Sequence, residues 1–225
     1  MDGRPNAAST GTRIAVLASG GGTNLQVLLD HFAAGDRGGR IVWVGSNVAT
    51  AGALARAERA GIATGFVADP ADGDALAAQL ATAGAELLVL AGYLKLVPAE
   101  VVRAWRGRLL NVHPALLPAF GGPGMYGGRV HAAVLAHGCR VSGVTVHFVD
   151  EQYDRGPIVA QWPVPVRPDD DPASLAARVL QAEHALYPRA VEAVARGRLA
   201  LADDGRVTAT DPSVWSMLLF PFSLP

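Results

Sequence analysis

Asn111 and His113 flank Val112 in RLLNVHPALLP, residues 108–118. Leu109 and Leu110 open a short apolar strand. Pro114 ends it, because proline has no N–H to give to a ladder. Side chains alternate along a strand, so Asn111 and His113 share one face. The first is an amide donor, and the second is the side chain that ordinarily titrates near neutrality. Side by side at a strand's carboxyl end, they could stabilise and protonate a developing oxyanion. An isolated N-x-H is more often a satisfied core histidine beside a turn asparagine. The two prolines around Ala115, Leu116 and Leu117, together with the rest of the chain, favour chemistry.

Three further groups bear on that chemistry. Ser19 to Asn24 reads SGGGTN, a glycine turn before a helix start, which offers N–H groups and a positive dipole end to an anion. It lacks the Gly-Lys-Ser/Thr of a P-loop. It also departs from a dinucleotide fingerprint, since Leu25 takes the last glycine's place and the second strand ends Gly45-Ser46-Asn47 without an acid. NAD and ATP are disfavoured and a phosphate monoester suits better, with a plain tight turn as the alternative. Asp154, in YDRGP at 153–157, either makes an Asx-turn or neighbours His113 and favours its imidazolium form. The segment AGYLKLVP, 91–98, either lines a cleft for a flat aromatic ligand or is ordinary core with Lys95 snorkelling.

Strands and helices must alternate to place these groups. Apolar runs at Ile14–Leu17, Ile41–Val44, Ile62–Val67, Glu86–Ala91 and Leu109–His113 read as strands. Between them, Leu25, Leu28, Leu29 and Phe32 repeat at helical spacing, and helices are expected over 50–60 and 75–83. This pattern predicts an α/β fold, a mostly parallel twisted sheet with helices on both faces. Later come a glycine-rich loop over 120–129, a helix over 130–136, a strand over 141–149 and a proline-bearing edge segment over 157–166. Asp171 and Pro172 start a helix with the stripe Leu175, Val179, Ala182 and Leu186, with Glu183 at its edge. Pro188 is expected to kink or interrupt that helix.

With 225 residues, half of them apolar, and a net charge of −1, the composition is that of an ordinary globular domain. No basic excess points to nucleic acid. The single cysteine, Cys139, cannot form an intrachain disulfide or a cysteine-based zinc site, which fits a reducing, cytoplasmic setting. No secretory signal and no membrane span of roughly 18 apolar residues is seen. A flexible N-terminal tail is expected over 1–12, one domain over 13–200 and a C-terminal tail over 201–225. The tail's apolar end, VWSMLLFPF at 214–222, could dock on the body or on another subunit, so a homodimer is allowed.

Taken together, SGGGTN, AGYLKLVP, RLLNVHPALLP, VTVHFVDEQYDRGPI (144–158) and AEHALYP (182–188) resemble the phosphoribosylglycinamide formyltransferase family, with its Rossmann-like formyltransferase fold, in order and near spacing over roughly 13–200. The resemblance implies formyl transfer from 10-formyltetrahydrofolate to the amine of glycinamide ribonucleotide, in de novo purine biosynthesis. It implies Asn111, His113 and Asp154 as catalytic residues. Gly22, Thr23 and Asn24 would hold the substrate phosphate, and Glu183 the ribose or amine end. Leu94, Lys95, Leu96 and Val97, with Asn111, would hold the folate. The partners are these small molecules, the folate is a co-substrate, and no metal or bound cofactor is needed. Leu180 and Gly128 depart from polar residues found in some members, and 69–74 has no match to an arginine near the folate tail. Two rivals remain: a mononuclear metal site from His113, His147 and Asp154, and a non-catalytic phosphometabolite sensor using the glycine loop alone.

Overall fold

A computed structural model describes residues 11–218, and its first strand shows how the sheet is sandwiched. In β1 (Thr12–Leu17), Ile14 and Val16 face one side while Ala15 and Leu17 face the other, all four buried. The next elements are α1 (Thr23–Ala33), β2 (Gly39–Ser46), α2 (Gly52–Arg59), β3 (Ala63–Phe66), α3 (Gly73–Thr82), β4 (Leu87–Leu90), α4 (Ala99–Ala104) and β5 (Leu109–His113). Then come α5 (Gly128–Ala136), β6 (Val141–Phe148), β7 (Ile158–Pro165), α6 (Pro172–Ala195), β8 (Leu199–Leu201), β9 (Val207–Ala209) and α7 (Ser213–Leu218). One core joins Ile14 and Val16 to Leu25 and Leu28 of α1 and Leu186 and Tyr187 of α6. The other joins Ala15 and Leu17 to Leu76 and Leu80 of α3 and Val101 and Val102 of α4.

The seven-stranded sheet runs β3-β2-β1-β4-β5-β6-β7. The pairings from β3 through β5 are parallel, while β6 runs antiparallel to β5 and β7 antiparallel to β6. The α/β fold with a mostly parallel sheet is therefore present. The proline-bearing segment is its edge strand β7, where a missing N–H costs no ladder bond. The chain reverses strand order between β1 and β4, so the glycine loop after β1 and the 91–97 segment after β4 open a crevice at the strands' carboxyl ends.

Three features differ from the sequence reading. Six-residue α4 is too short to show a helical period. Within the stretch read as a C-terminal tail, β9 pairs back onto β8 at the end of the domain, and α7 places Val214 and Leu218 in the core. Residues 1–10 of the expected N-terminal tail and residues 219–225 lie outside the described residues. Finally, α6 runs through Pro188 without interruption. An interior proline costs roughly 3 kcal/mol, but Leu186, Tyr187, Ala190 and Val191 around it are fully buried, and that packing outweighs the local cost. Among the described residues no helix is long and apolar enough to cross a membrane.

Tyr187 also ties α6 to the middle of the sheet, its hydroxyl donating to the Leu90 carbonyl at 2.8 Å. Tyr187→Phe keeps the ring and deletes that bond. It should lower the unfolding free energy in urea titration by about 1–3 kcal/mol.

Candidate active site

The period of two puts Asn111 and His113 on one face of β5, and both line a cavity of about 490 Å³. Antiparallel pairing sets His147 of β6 directly opposite Asn111, and Thr145 opposite His113. The buried Thr145 hydroxyl donates to the Ala115 carbonyl at 2.7 Å and accepts from the Leu117 N–H at 3.0 Å. This fixes the path of the chain after His113.

His147 has its Nδ1 2.8 Å from the Phe148 carbonyl, a contact it makes by donating. That leaves its Nε2 lone pair to accept from the Asn111 amide at 3.1 Å. Burial, the largest influence, pushes the His147 pKa below its ordinary value, in keeping with a neutral acceptor. The amide is thereby oriented by one hydrogen, and its second remains available.

His113 is 3% exposed. Its Nε2 donates to the Phe120 carbonyl at 2.9 Å, and its Nδ1 stands 3.5 Å from Asp154 Oδ2. The same carboxylate oxygen accepts from the Gly122 N–H at 2.9 Å, while Oδ1 lies 3.7 Å from His147 Nε2. Phe120 and Asp154 both hold left-handed backbone, φ 55° and 56°. Such backbone costs non-glycine residues on the order of 1–3 kcal/mol and concentrates at functional sites. Asp154 is therefore the neighbour of His113, not merely an Asx-turn residue.

The cavity is also lined by Leu94, Lys95, Leu96 and Val97, so the 91–98 segment forms cleft wall. Leu94 and Leu96 are exposed at its mouth with Tyr126 and Tyr153. Ser19 anchors this wall to the glycine loop: its hydroxyl accepts from the Leu94 N–H at 2.9 Å and donates to Asn47 Oδ1 at 2.6 Å. Gly22, the left-handed N-cap of α1, together with Thr23 and Asn24, lies beyond the lining. The connection is Glu183, a lining residue that accepts from the Asn24 amide at 2.6 Å. Glu183 is 7% exposed, and burial pushes its pKa up to about 7 despite that bond.

Sequence reasoning gave the Phe120 carbonyl and His131 no role at the site, and gave His147 one only in the rival metal set, not as steering partner of the amide. His131 lies on α5, 4% exposed, with Nδ1 unpartnered among the described residues. Burial and then nearby His113 lower its pKa. Leu180 and Gly128 line the same cavity. The proposed metal set of His113, His147 and Asp154 does come together, but each member is turned to a protein partner. Among the described residues no three His, Cys, Asp or Glu side chains stand where they could hold an ion.

The formyl transferase family model matches residues 12–191. The chain is 43% identical over 200 residues to a chloroplastic phosphoribosylglycinamide formyltransferase of Arabidopsis thaliana, covering 86% of this chain and 68% of the relative. It is 37% identical over 198 residues to the phosphoribosylglycinamide formyltransferase of Haemophilus influenzae, covering 85% and 91%. A crystal structure of glycinamide ribonucleotide transformylase 1 from Symbiobacterium toebii aligns with TM-score 0.83 at 40% identity, covering 94% of this chain and all of the other.

The raised Glu183 pKa makes stability depend on pH. Between about 4.5 and 7 the folded chain keeps this proton while the unfolded chain has lost it. The contribution is therefore greatest below about 4.5 and lost as pH rises towards 7. In urea titrations across that range, Glu183→Gln should gain on the parent as pH rises, by at most about 3 kcal/mol.

Proposed function

The chain belongs to the formyl transferase family, and we propose that it transfers the formyl group of 10-formyltetrahydrofolate to the amine of 5-phosphoribosylglycinamide, a step of purine biosynthesis. The observation that carries this reading is the meeting of Asn111, His113 and Asp154 on one cavity wall. The similarity to phosphoribosylglycinamide formyltransferases over nine-tenths or more of their chains supports the choice of acceptor. The folate's flat ring enters past exposed Leu94 and Leu96, and Lys95 at the mouth lies toward its acidic tail. The acceptor's phosphate rests on the amides of Gly22, Thr23 and Asn24, and Glu183 holds its ribose or amine end.

The acceptor nitrogen attacks the formyl carbon and forms the new C–N bond, and the carbonyl oxygen becomes an oxyanion. The free hydrogen of the Asn111 amide donates to that oxygen, and the hydrogen shared with His147 keeps the amide aimed. His113, in its imidazolium form beside Asp154, donates to the same oxyanion and supplies a proton. The carbon–N10 bond then breaks, N10 takes up a proton, and the attacking nitrogen gives one up. The sum is formyl transfer without a covalent enzyme intermediate. The Phe120 carbonyl competes for the His113 Nε2 hydrogen, so this contact yields when the ring turns to substrate.

The purified chain should form formylglycinamide ribonucleotide and tetrahydrofolate, measured by product chromatography. Asn111→Ala and His113→Ala should each lower kcat by on the order of a hundredfold or more, with KM changed a few-fold at most. His147→Leu leaves the amide present but unsteered and should lower kcat roughly tenfold. A parent protein with no turnover at saturating substrates would remove this reading.

A further inference from the structure

The glycine loop is held from behind by α2, a helix with no role in the sequence reading. The Gly20 carbonyl accepts from the Ala53 N–H at 3.1 Å, and the Gly21 carbonyl accepts from Arg56 Nε at 2.7 Å. The two backbones touch: a Cβ on Gly22 would lie 2.8 Å from Ala53 Cα, and one on Gly52 would lie 3.2 Å from Gly21 Cα. Arg56 is itself fixed, since its Nη1 donates to Gln26 Oε1 at 2.9 Å and Gln26 donates to Asp30 at 2.9 Å.

In a trans peptide the C=O and the following N–H point in opposite directions. Fastening the Gly20 and Gly21 carbonyls to α2 therefore turns the Gly21 and Gly22 amides away from it. Among the described residues those amides and that of Thr23 donate to nothing. The first turn of α1 has no side-chain cap and no acidic residue. Three consecutive glycines have no side chains to hold their peptide planes, so such planes turn over cheaply unless something grips them.

We propose that Arg56 is a positioning residue for substrate phosphate: by gripping the Gly21 carbonyl, it locks the Gly21–Gly22 peptide so that the Gly22 N–H faces the anion. This rests on the phosphomonoester reading given above. The Nε hydrogen grips the loop while Nη1 is anchored on α1, a two-point geometry that lysine cannot reproduce. Arg56 thus acts through the loop and need not touch the substrate.

The test compares 5-phosphoribosylglycinamide with its phosphate-free riboside as acceptors, and measures binding of inorganic phosphate by calorimetry. Arg56→Ala should raise KM for the phosphorylated acceptor roughly tenfold, the worth of one charge-assisted hydrogen bond. It should weaken phosphate binding by a similar factor and leave kcat and the riboside's KM within about twofold. Ethylguanidinium should partly restore Arg56→Ala, Arg56→Lys should stay impaired, and Gln26→Ala should show a milder defect of the same kind. Unchanged KM and phosphate binding in Arg56→Ala, or an equal rise in KM for both acceptors, overturns the proposal. A parent protein inactive on both acceptors would instead count against the reaction itself, while the phosphate titration still reads Arg56.

Discussion

A buried imidazole with oxygen at both ring nitrogens organises the reactive end of this molecule. His113 donates from Nε2 to the Phe120 carbonyl at 2.9 Å and turns Nδ1 to Asp154 Oδ2 at 3.5 Å. Each oxygen is delivered by a residue in left-handed backbone, so two strained turns are held in place by one ring. The Gly122 N–H closes the loop by donating to the same carboxylate. Polar groups at this depth cost free energy unless each finds a partner, and these three chain segments supply the partners. The Asn111–His147 pair beside it solves the same problem with neutral groups: one acceptor nitrogen, one amide, no uncompensated charge.

The change of strand direction at β5 makes both pairs possible. A parallel neighbour would meet β5 through an evenly spaced, slanted ladder. The antiparallel β6 instead brings Thr145 and His147 into register with His113 and Asn111, and its turn to β7 carries Asp154 back to the same place. One wall of the cavity is thus built by register. The other, residues 92–97, is hung on the glycine loop by the Ser19 hydroxyl.

The sequence showed what depends on local spacing and missed what depends on register. Period-two alternation is enough to place Asn111 and His113 on one face, and the apolar runs are enough for a mostly parallel sheet. His147 faces Asn111 only through a pairing across 36 positions, and no local pattern encodes that offset. The Asp154–His113 contact hangs on a positive φ at an aspartate, a conformation that a D-x-G-P turn permits without requiring. Leu94 to Val97 fit a core run as well as a cleft wall, and the family resemblance alone favoured the wall. Pro188 misled because its effect is local, while Leu186, Tyr187, Ala190 and Val191 are buried by distant elements.

Glu183 links the two ends of the proposed site. Asn24, 159 positions away, gives it a single amide hydrogen, leaving a carboxyl far more deeply buried than carboxyls usually are. An amide side chain could accept the same hydrogen without the cost of ionising in a dry wall. A carboxylate earns its place here only if a ligand brings hydroxyl or ammonium hydrogens to the cavity side. Such a ligand would extend from the glycine-loop amides that have no partner among the described residues, past Glu183, to the Asn111 and His113 face. Its anionic end and its nucleophilic nitrogen must then be separated by a polar, hydroxylated spacer, as they are in a phosphoribosyl amine derivative.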